Sequence, residues 1–233
     1  MLDDVLRNSI LVDLTQTLGP DTSMWSEDDP FIARTHADHE SDGMYYRYLQ
    51  MSEHSGTHMD APVHFGPGQA TMDQVPLGSL VVPVVVADAR PSARDDPDFT
   101  FGEKQLDDFE AEHGKVAPGS AFLLCTGWDR LRHDPVRYIR SMRFPGFGPN
   151  AVEILVDRGV VGIGIDTLSV DAGRDGSFPV HHISQPNGLW HLEGLVNLDR
   201  LPARGAWLVA APLLLAEGSG SPARVFAIVP STT

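Results

Sequence analysis

The sequence predicts an α/β fold: one domain over residues 1–233, built on a mixed β-sheet with flanking helices. Three observations lead there. Short runs rich in Val, Ile and aromatic residues outnumber the stretches with helical periodicity. Strand and helix signals do not alternate in the steady βαβ rhythm of a doubly wound sheet. Neither GxGxxG nor GxxxxGK[ST] appears, so no phosphate-cradling loop is indicated.

Taken in order, the strand signals are SILVDLT at 9–15, YYRYLQMS at 45–52 and LVVPVVVADA at 80–89. They continue with AFLLCTGW at 121–128, VVGIGIDTLSVD at 160–171, WLVAAPLLL at 207–215 and RVFAIVP at 224–230. A helix is expected over EKQLDDFEAEHG, 103–114, where Leu106 and Phe109 share a face and Gly114 suits the C-terminal cap. A second is expected over PNAVEILVDRG, 149–159, with Pro149 in its first turn, apolar residues at Val152, Leu155 and Val156, and Gly159 at its end. ARPSARDDPDF, 89–99, reads as an exposed loop, since strand signals resume on both sides. No repeat of solenoid period is present.

The 233 residues suffice for a sizeable core, and 42% hydrophobic content is ordinary for a globular chain. Against 32 acidic residues stand 17 basic ones, a formal charge of −15, which argues against a nucleic-acid partner. No apolar run reaches membrane-span length, so no membrane association is expected. The start, MLDDVLRNSILVDL, is acidic where a secretory signal is basic, and a cytoplasmic location is expected. The one cysteine, Cys125, sits in an apolar strand signal and reads as a small buried hydrophobe.

Residues 54–65 read HSGTHMDAPVHF. His54, His58, Asp60 and His64 fall at offsets 0, 4, 6 and 10, separated by Gly, Thr and Pro rather than by core residues. A helix would scatter them, because offset 6 points away from offsets 0 and 4. A strand would align all four on one face but spread them over roughly 33 Å. Gly56, Pro62 and Gly66 allow bending, so a strand ending in a turn that curls the groups around a common centre fits best. Imidazole and carboxylate are ligands for Zn²⁺, Mn²⁺ and related ions; without an ion they still form a proton relay.

HSGTHMDAPVHF closely resembles the His-x-Gly-Thr-His-x-Asp-x-Pro-x-His signature of the cyclase family of metal-dependent hydrolases. The resemblance runs on through DLTQTLGPDTSMW, VGIGIDTLSVD and the segment from FPVHHISQPNGLWHLEGL to the C-terminal strand, and is weakest over 90–150. It implies a swivelling β/β/α fold and a divalent metal, Zn or Mn, with one or two ions per chain. His54, His58 and Asp60 match the metal ligands of the first motif, and His64 matches the histidine that exchanges a proton. His181 and Glu193, twelve positions apart, match the remaining ligands in preference to His182. Trp25 matches a substrate-contacting tryptophan. The implied partner is a small-molecule amide (an aryl formamide, lactam or cyclic imide), and the implied assembly is a homodimer or homotetramer.

Two departures fall where the substrate pocket is expected. The chain has Trp25-Ser26-Glu27-Asp28 where the family often has Trp-Pro-Gly-Asp, and HISQPNGLWH where it runs into two leucines. His191, two positions before Glu193, shares its strand face if extended and reads as a pocket group or a buried, hydrogen-bonded histidine. Asp166 and Asp171 read as turn residues bonding backbone, and His36 and His39 as part of a solvated acidic loop. Tyr45 and Tyr46 suit either strand packing or a pocket mouth. A cupin-type dioxygenase would need a His-x-His pair, which does not open this site; a catalytically silent metal- or ligand-binding protein would have no use for His64. No Gly-x-Ser-x-Gly elbow supports a serine hydrolase.

Overall fold

The computed structural model describes residues 7–26, 30–139 and 142–231. Glu27, which departs from the family tetrapeptide, and Asp28 lie outside the described residues, as does the start of the acidic N-terminal stretch. The strands are β1 (Ser9–Asp13), β2 (Ile32–Ala37), β3 (Tyr46–Gln50), β4 (His58–Asp60), β5 (Val81–Asp88) and β6 (Thr100–Phe101). They continue as β7 (Ala121–Cys125), β8 (Gly146–Phe147), β9 (Gly162–Ile165), β10 (Trp190–Glu193), β11 (Ala206–Pro212) and β12 (Gly220–Pro230). Three helices bear on the argument: α1 (Glu103–His113), α2 (Pro149–Asp157) and α3 (Pro179–Ser184).

Eight strands form one mixed sheet in the order β1-β12-β11-β5-β7-β9-β10-β4. Its centre, β5-β7-β9-β10, is parallel, and the flanking pairs are antiparallel. The short strand β4 pairs with β10 on one side and with Gly220–Pro222 of β12 on the other, so the sheet closes on itself. This is the mixed-sheet α/β class expected from sequence.

Strand alternation then sorts side chains into two compartments. Val82, Val84 and Val86 of β5, Leu123 and Cys125 of β7, Met59 of β4 and Trp190 and Leu192 of β10 share one core, enclosed by the sheet. Val85, Phe122, Leu124, Ile163 and Ile165 face the other way, onto Leu106 and Phe109 of α1 and Val152 and Leu155 of α2. Those are the apolar faces that periodicity assigned to the two helices. Arg158, at the end of α2, grips Glu110 of α1 with two bonds of 3.0 and 2.8 Å.

Several strand expectations change in extent or setting, three of them markedly. The 160–171 run is strand only over β9, because Asp166 turns its carboxylate onto the Thr126 and Gly127 amides. The 207–215 run ends at Pro212, leaving Leu213 and Leu214 exposed. YYRYLQMS supplies β3, which pairs only with β2 in a separate ribbon and exposes every residue from Tyr46 to Gln50. His36 sits on that ribbon with its ring 4.7 Å from Tyr46. Among the described residues no helix is long and apolar enough to cross a membrane.

Candidate metal centre

The site begins with register. In the β4–β10 ladder His191 pairs with Asp60, and Glu193 pairs with His58. Since Met59, Trp190 and Leu192 point into the enclosed core, the alternating residues His58, Asp60, His191 and Glu193 share the opposite face. The parity that aligned His58 with Asp60 in the sequence therefore acts twice, once on each strand. His54 and His64 are not on the strand. Regular pairing starts at His58, and a bend at Gly56 (φ +63°) brings His54 back while the 3₁₀ turn Pro62–His64 returns His64 from the other end. Turns at both ends, rather than one terminal curl, gather the motif.

Helix α3 delivers His181. Asp171 accepts hydrogen bonds from the Val180 amide (2.8 Å), the His181 amide (3.2 Å) and His181 Nδ1 (2.6 Å), so it anchors the helix start and aims the ring. His181 Nε2 then lies 3.4 Å from Asp60 and 3.6 Å from Glu193, while His182 faces solvent. His58 Nδ1 donates to the Gly56 carbonyl (3.0 Å), turning Nε2 toward Asp60 (3.3 Å) and Glu193 (3.5 Å). His54 Nδ1 lies 2.7 Å from Asp60. His191 donates from Nε2 to Ser184 Oγ (2.6 Å), which itself donates to the Val180 carbonyl, and this leaves Nδ1 facing Asp60 at 3.6 Å.

The electrostatics call for positive charge. Asp60 and Glu193 are buried; the side chains that face them are imidazoles, and Glu193 also accepts from the Val170 amide (2.8 Å). Burial alone would push the His58 and His181 rings down, but the carboxylates and their hydrogen bonds more than reverse it and raise both to about 10. Burial keeps His191 below the usual imidazole value. Asp60 with His181, His191 and Glu193, and Asp60 with His54 and His64, each present donor atoms within 4.8 Å of one another. A divalent cation satisfies the same carboxylates without protonating the rings, and the nitrogen–oxygen donor set suits zinc or manganese.

Above the donors lies a cavity of about 300 Å³. Its apolar wall is Trp25, Phe65, Leu168 and Phe178, with the Trp25 and Phe178 rings 5.6 Å apart. Phe178 holds the left-handed conformation (φ +52°) that bulky residues avoid, and this backbone turn starts α3. The exposed His64 ring stands at the edge of the cluster, 4.2 Å from His54 and 6.0 Å from His181. Although one side of the ring is open to solvent, loss of water on the side packed against its neighbours is the main influence lowering its pKa from the ordinary imidazole value.

Every sequence-selected site residue (Trp25, His54, His58, Asp60, His64, His181 and Glu193) borders this one cavity. Sequence reasoning left His191 undecided between pocket and core. It is fully buried beneath Asp60, and its even offset from Glu193 was the signal that placed it there. It read Asp171 as a backbone-bonding turn residue, which it is, but did not connect it with His181. Phe65, Leu168 and Phe178 carried no signal beyond being apolar.

A model of the family described as putative cyclase matches residues 12–172. An isatin hydrolase from Roseibium aggregatum is 34% identical, covering 94% of this chain and 92% of that protein. A kynurenine formamidase from Salinibacter ruber is 33% identical, covering 92% and 95%. The crystal structure of an isatin hydrolase bound to the product analogue thioisatinate superposes with a TM-score of 0.94 at 32% identity, covering 98% of this chain and 96% of that one.

Proposed function

Because this chain belongs to the cyclase family, we propose that it is a metal-dependent hydrolase that opens the carbon–nitrogen bond of a small amide, acting as one domain over residues 1–233. The observation that carries the proposal is the β4–β10 ladder, whose register places two carboxylates and two imidazoles on one buried face beside His54 and His181. In this reading His54, His58, Asp60, His181 and Glu193 hold the cation, zinc or manganese, as one or two ions per chain. The cation supplies Lewis acidity, polarising a carbonyl and making water nucleophilic near neutral pH.

The chain's own residues do the rest. His64, kept neutral by its lowered pKa, accepts a proton from water at a ring nitrogen and returns it to the departing nitrogen as the C–N bond breaks and a C–O bond forms. Asp171 and the Gly56 carbonyl keep the rings of His181 and His58 from turning away. Trp25, with Phe65 and Phe178, lays the substrate's flat ring against the cavity wall. That wall, and relatives named for isatin and kynurenine chemistry, support an aryl formamide, lactam or cyclic imide as substrate. The position of His64 beside the donors counts against a silent binding protein.

A homodimer or homotetramer belongs to the same proposal. The β2–β3 ribbon exposes 63% of Tyr48 and 52% of Leu49, and a two-stranded ribbon is marginal in water unless something packs on it. A cytoplasmic location is supported by the single cysteine, buried in the core, which asks for no oxidising compartment. The test is a panel of isatin, N-formylkynurenine and simple cyclic imides, assayed with metal-stripped protein and with protein reloaded with Zn²⁺ or Mn²⁺. Turnover is expected only after reloading. Full turnover by stripped protein, verified metal-free by elemental analysis, refutes the proposal.

A further inference from the structure

We propose that Glu53 and Ser219 are positioning residues for the metal centre: in series they fix the His54 ring with its proton on Nε2 and its lone pair on Nδ1, facing Asp60. The inference rests on the metal-site reading above and adds two residues that belong to no motif discussed so far.

Glu53 immediately precedes His54, and Ser219 immediately precedes β12. One oxygen of Glu53 accepts three hydrogen bonds, from the Ser219 amide (2.9 Å), the Ser219 hydroxyl (2.7 Å) and the Gly220 amide (3.2 Å). Two of these donors are backbone N–H groups, which can only donate, so this carboxylate oxygen only accepts, and the Ser219 hydroxyl can only give it a hydrogen.

The Ser219 hydroxyl has a single hydrogen, with Glu53 at 2.7 Å and His54 Nε2 at 3.1 Å as candidates. The nearer, charged acceptor takes it. Ser219 Oγ then offers His54 a lone pair, so His54 must donate from Nε2. A neutral ring consequently presents its Nδ1 lone pair to Asp60 Oδ1 at 2.7 Å. Two acceptors that close repel unless they share positive charge, and a cation ligated by both supplies it.

The other rings follow the same logic. His58 and His181 tie their outer nitrogens to the Gly56 carbonyl and the Asp171 carboxylate. His191 uses a serine, and Ser184 has already given its hydrogen to the Val180 carbonyl. Ser219 with Glu53 is the version that serves His54. The backbone is shaped for it: a Cβ on Gly220 would lie 2.6 Å from His54 Cε1 and 3.0 Å from both ring nitrogens, so only glycine admits the ring here.

Ser219, His54 and Asp60 also have the connectivity of a nucleophile–base–acid triad. The proton order is the reverse of what such a triad needs, because a nucleophilic serine gives its hydrogen to the histidine, whereas Ser219 gives it to Glu53. Ser219 is a relay of orientation, not a nucleophile.

The test uses full-length protein stripped of metal and titrated with Zn²⁺ or Mn²⁺. Glu53→Ala and Ser219→Ala are expected to weaken metal binding by about 10–100-fold, the usual effect of losing an outer hydrogen-bond partner. Ser219→Thr, which keeps the hydroxyl, is expected to restore affinity to within a few-fold of wild type. Long-range proton–nitrogen NMR of zinc-loaded wild type is expected to show His54 protonated at Nε2, and this stands even where a variant fails to fold. Wild-type affinity in both Glu53→Ala and Ser219→Ala, or a His54 proton on Nδ1, overturns the inference alone. Wild-type protein that binds neither ion overturns the inference together with the metal reading.

Discussion

Asp171→Asn is the sharpest perturbation of the site, because it changes almost no volume and replaces no proposed ligand, acting only through the bonds that Asp171 makes to His181. The native carboxylate satisfies three donors: the Val180 amide on Oδ1, and the His181 amide and ring Nδ1 on Oδ2. An asparagine has one acceptor oxygen and an NH₂ that must face a donor whichever way it is turned. If the oxygen keeps the His181 side, the buried Val180 amide loses its acceptor, at a cost of about 1–3 kcal/mol. If it keeps the Val180 side, His181 must accept at Nδ1, and its proton moves to Nε2, between Asp60 and Glu193.

The first orientation also removes the negative charge that makes the His181 ring a better donor to a cation; the second removes the donor altogether. Metal affinity should therefore fall by at least about tenfold and up to about 100-fold, or about 1.4–2.8 kcal/mol. The metal-free variant should melt lower, by roughly 2–4 °C for each kcal/mol lost in a chain of this size. Calorimetric titration of stripped protein with Mn²⁺ reads the first effect, and thermal melts in chelator read the second. Asp175→Asn, at a half-buried carboxylate bonded to Ser177 and to no proposed ligand, is the matched control and should leave affinity unchanged. Wild-type affinity in Asp171→Asn would refute the assignment of His181 to the centre.

His64→Ala is expected to retain its metal by elemental analysis but to lose about 10²–10⁴ in turnover. His64 must be neutral to accept a proton and its pKa is lowered, so wild-type turnover should fall as pH drops through that depressed value, and the variant's pH profile should lack this limb. The bond to Arg158 is the largest influence on Glu110 and holds its carboxyl below its ordinary 4.5. The resulting stability is present above the unfolded value and is lost as pH falls through the lower folded one. Glu110→Gln should cost about 1 kcal/mol at neutral pH, with the gap to wild type closing in acid melts; a gap independent of pH would contradict this.

What the sequence revealed depended on the range over which each signal acts. The helical faces of Leu106 with Phe109 and Val152 with Leu155 were legible, because periodicity is local and the sheet those faces cover is apolar. So was the even spacing of His58 and Asp60. Register is not local: nothing in either segment announces that His191 meets Asp60 and Glu193 meets His58. Helix α3 escaped notice because it is six residues long and opens on a left-handed phenylalanine, too short and too irregular for a periodic pattern. Ser219 lies 166 positions from Glu53, and an isolated serine at the end of a loop carries no mark of the carboxylate it will meet.

Although β4 has only three residues, a ladder on each side gives it the stiffness of a strand deep within a sheet. Trp25 and Phe178, by contrast, stand on irregular backbone outside any strand. Foundation and furniture are thus separable: descendants of an ancestral enzyme can exchange the aromatic panels above, and so come to accept different ring systems, without disturbing the masonry that grips the ion. Relatives named for two distinct substrates are what such a partition would permit.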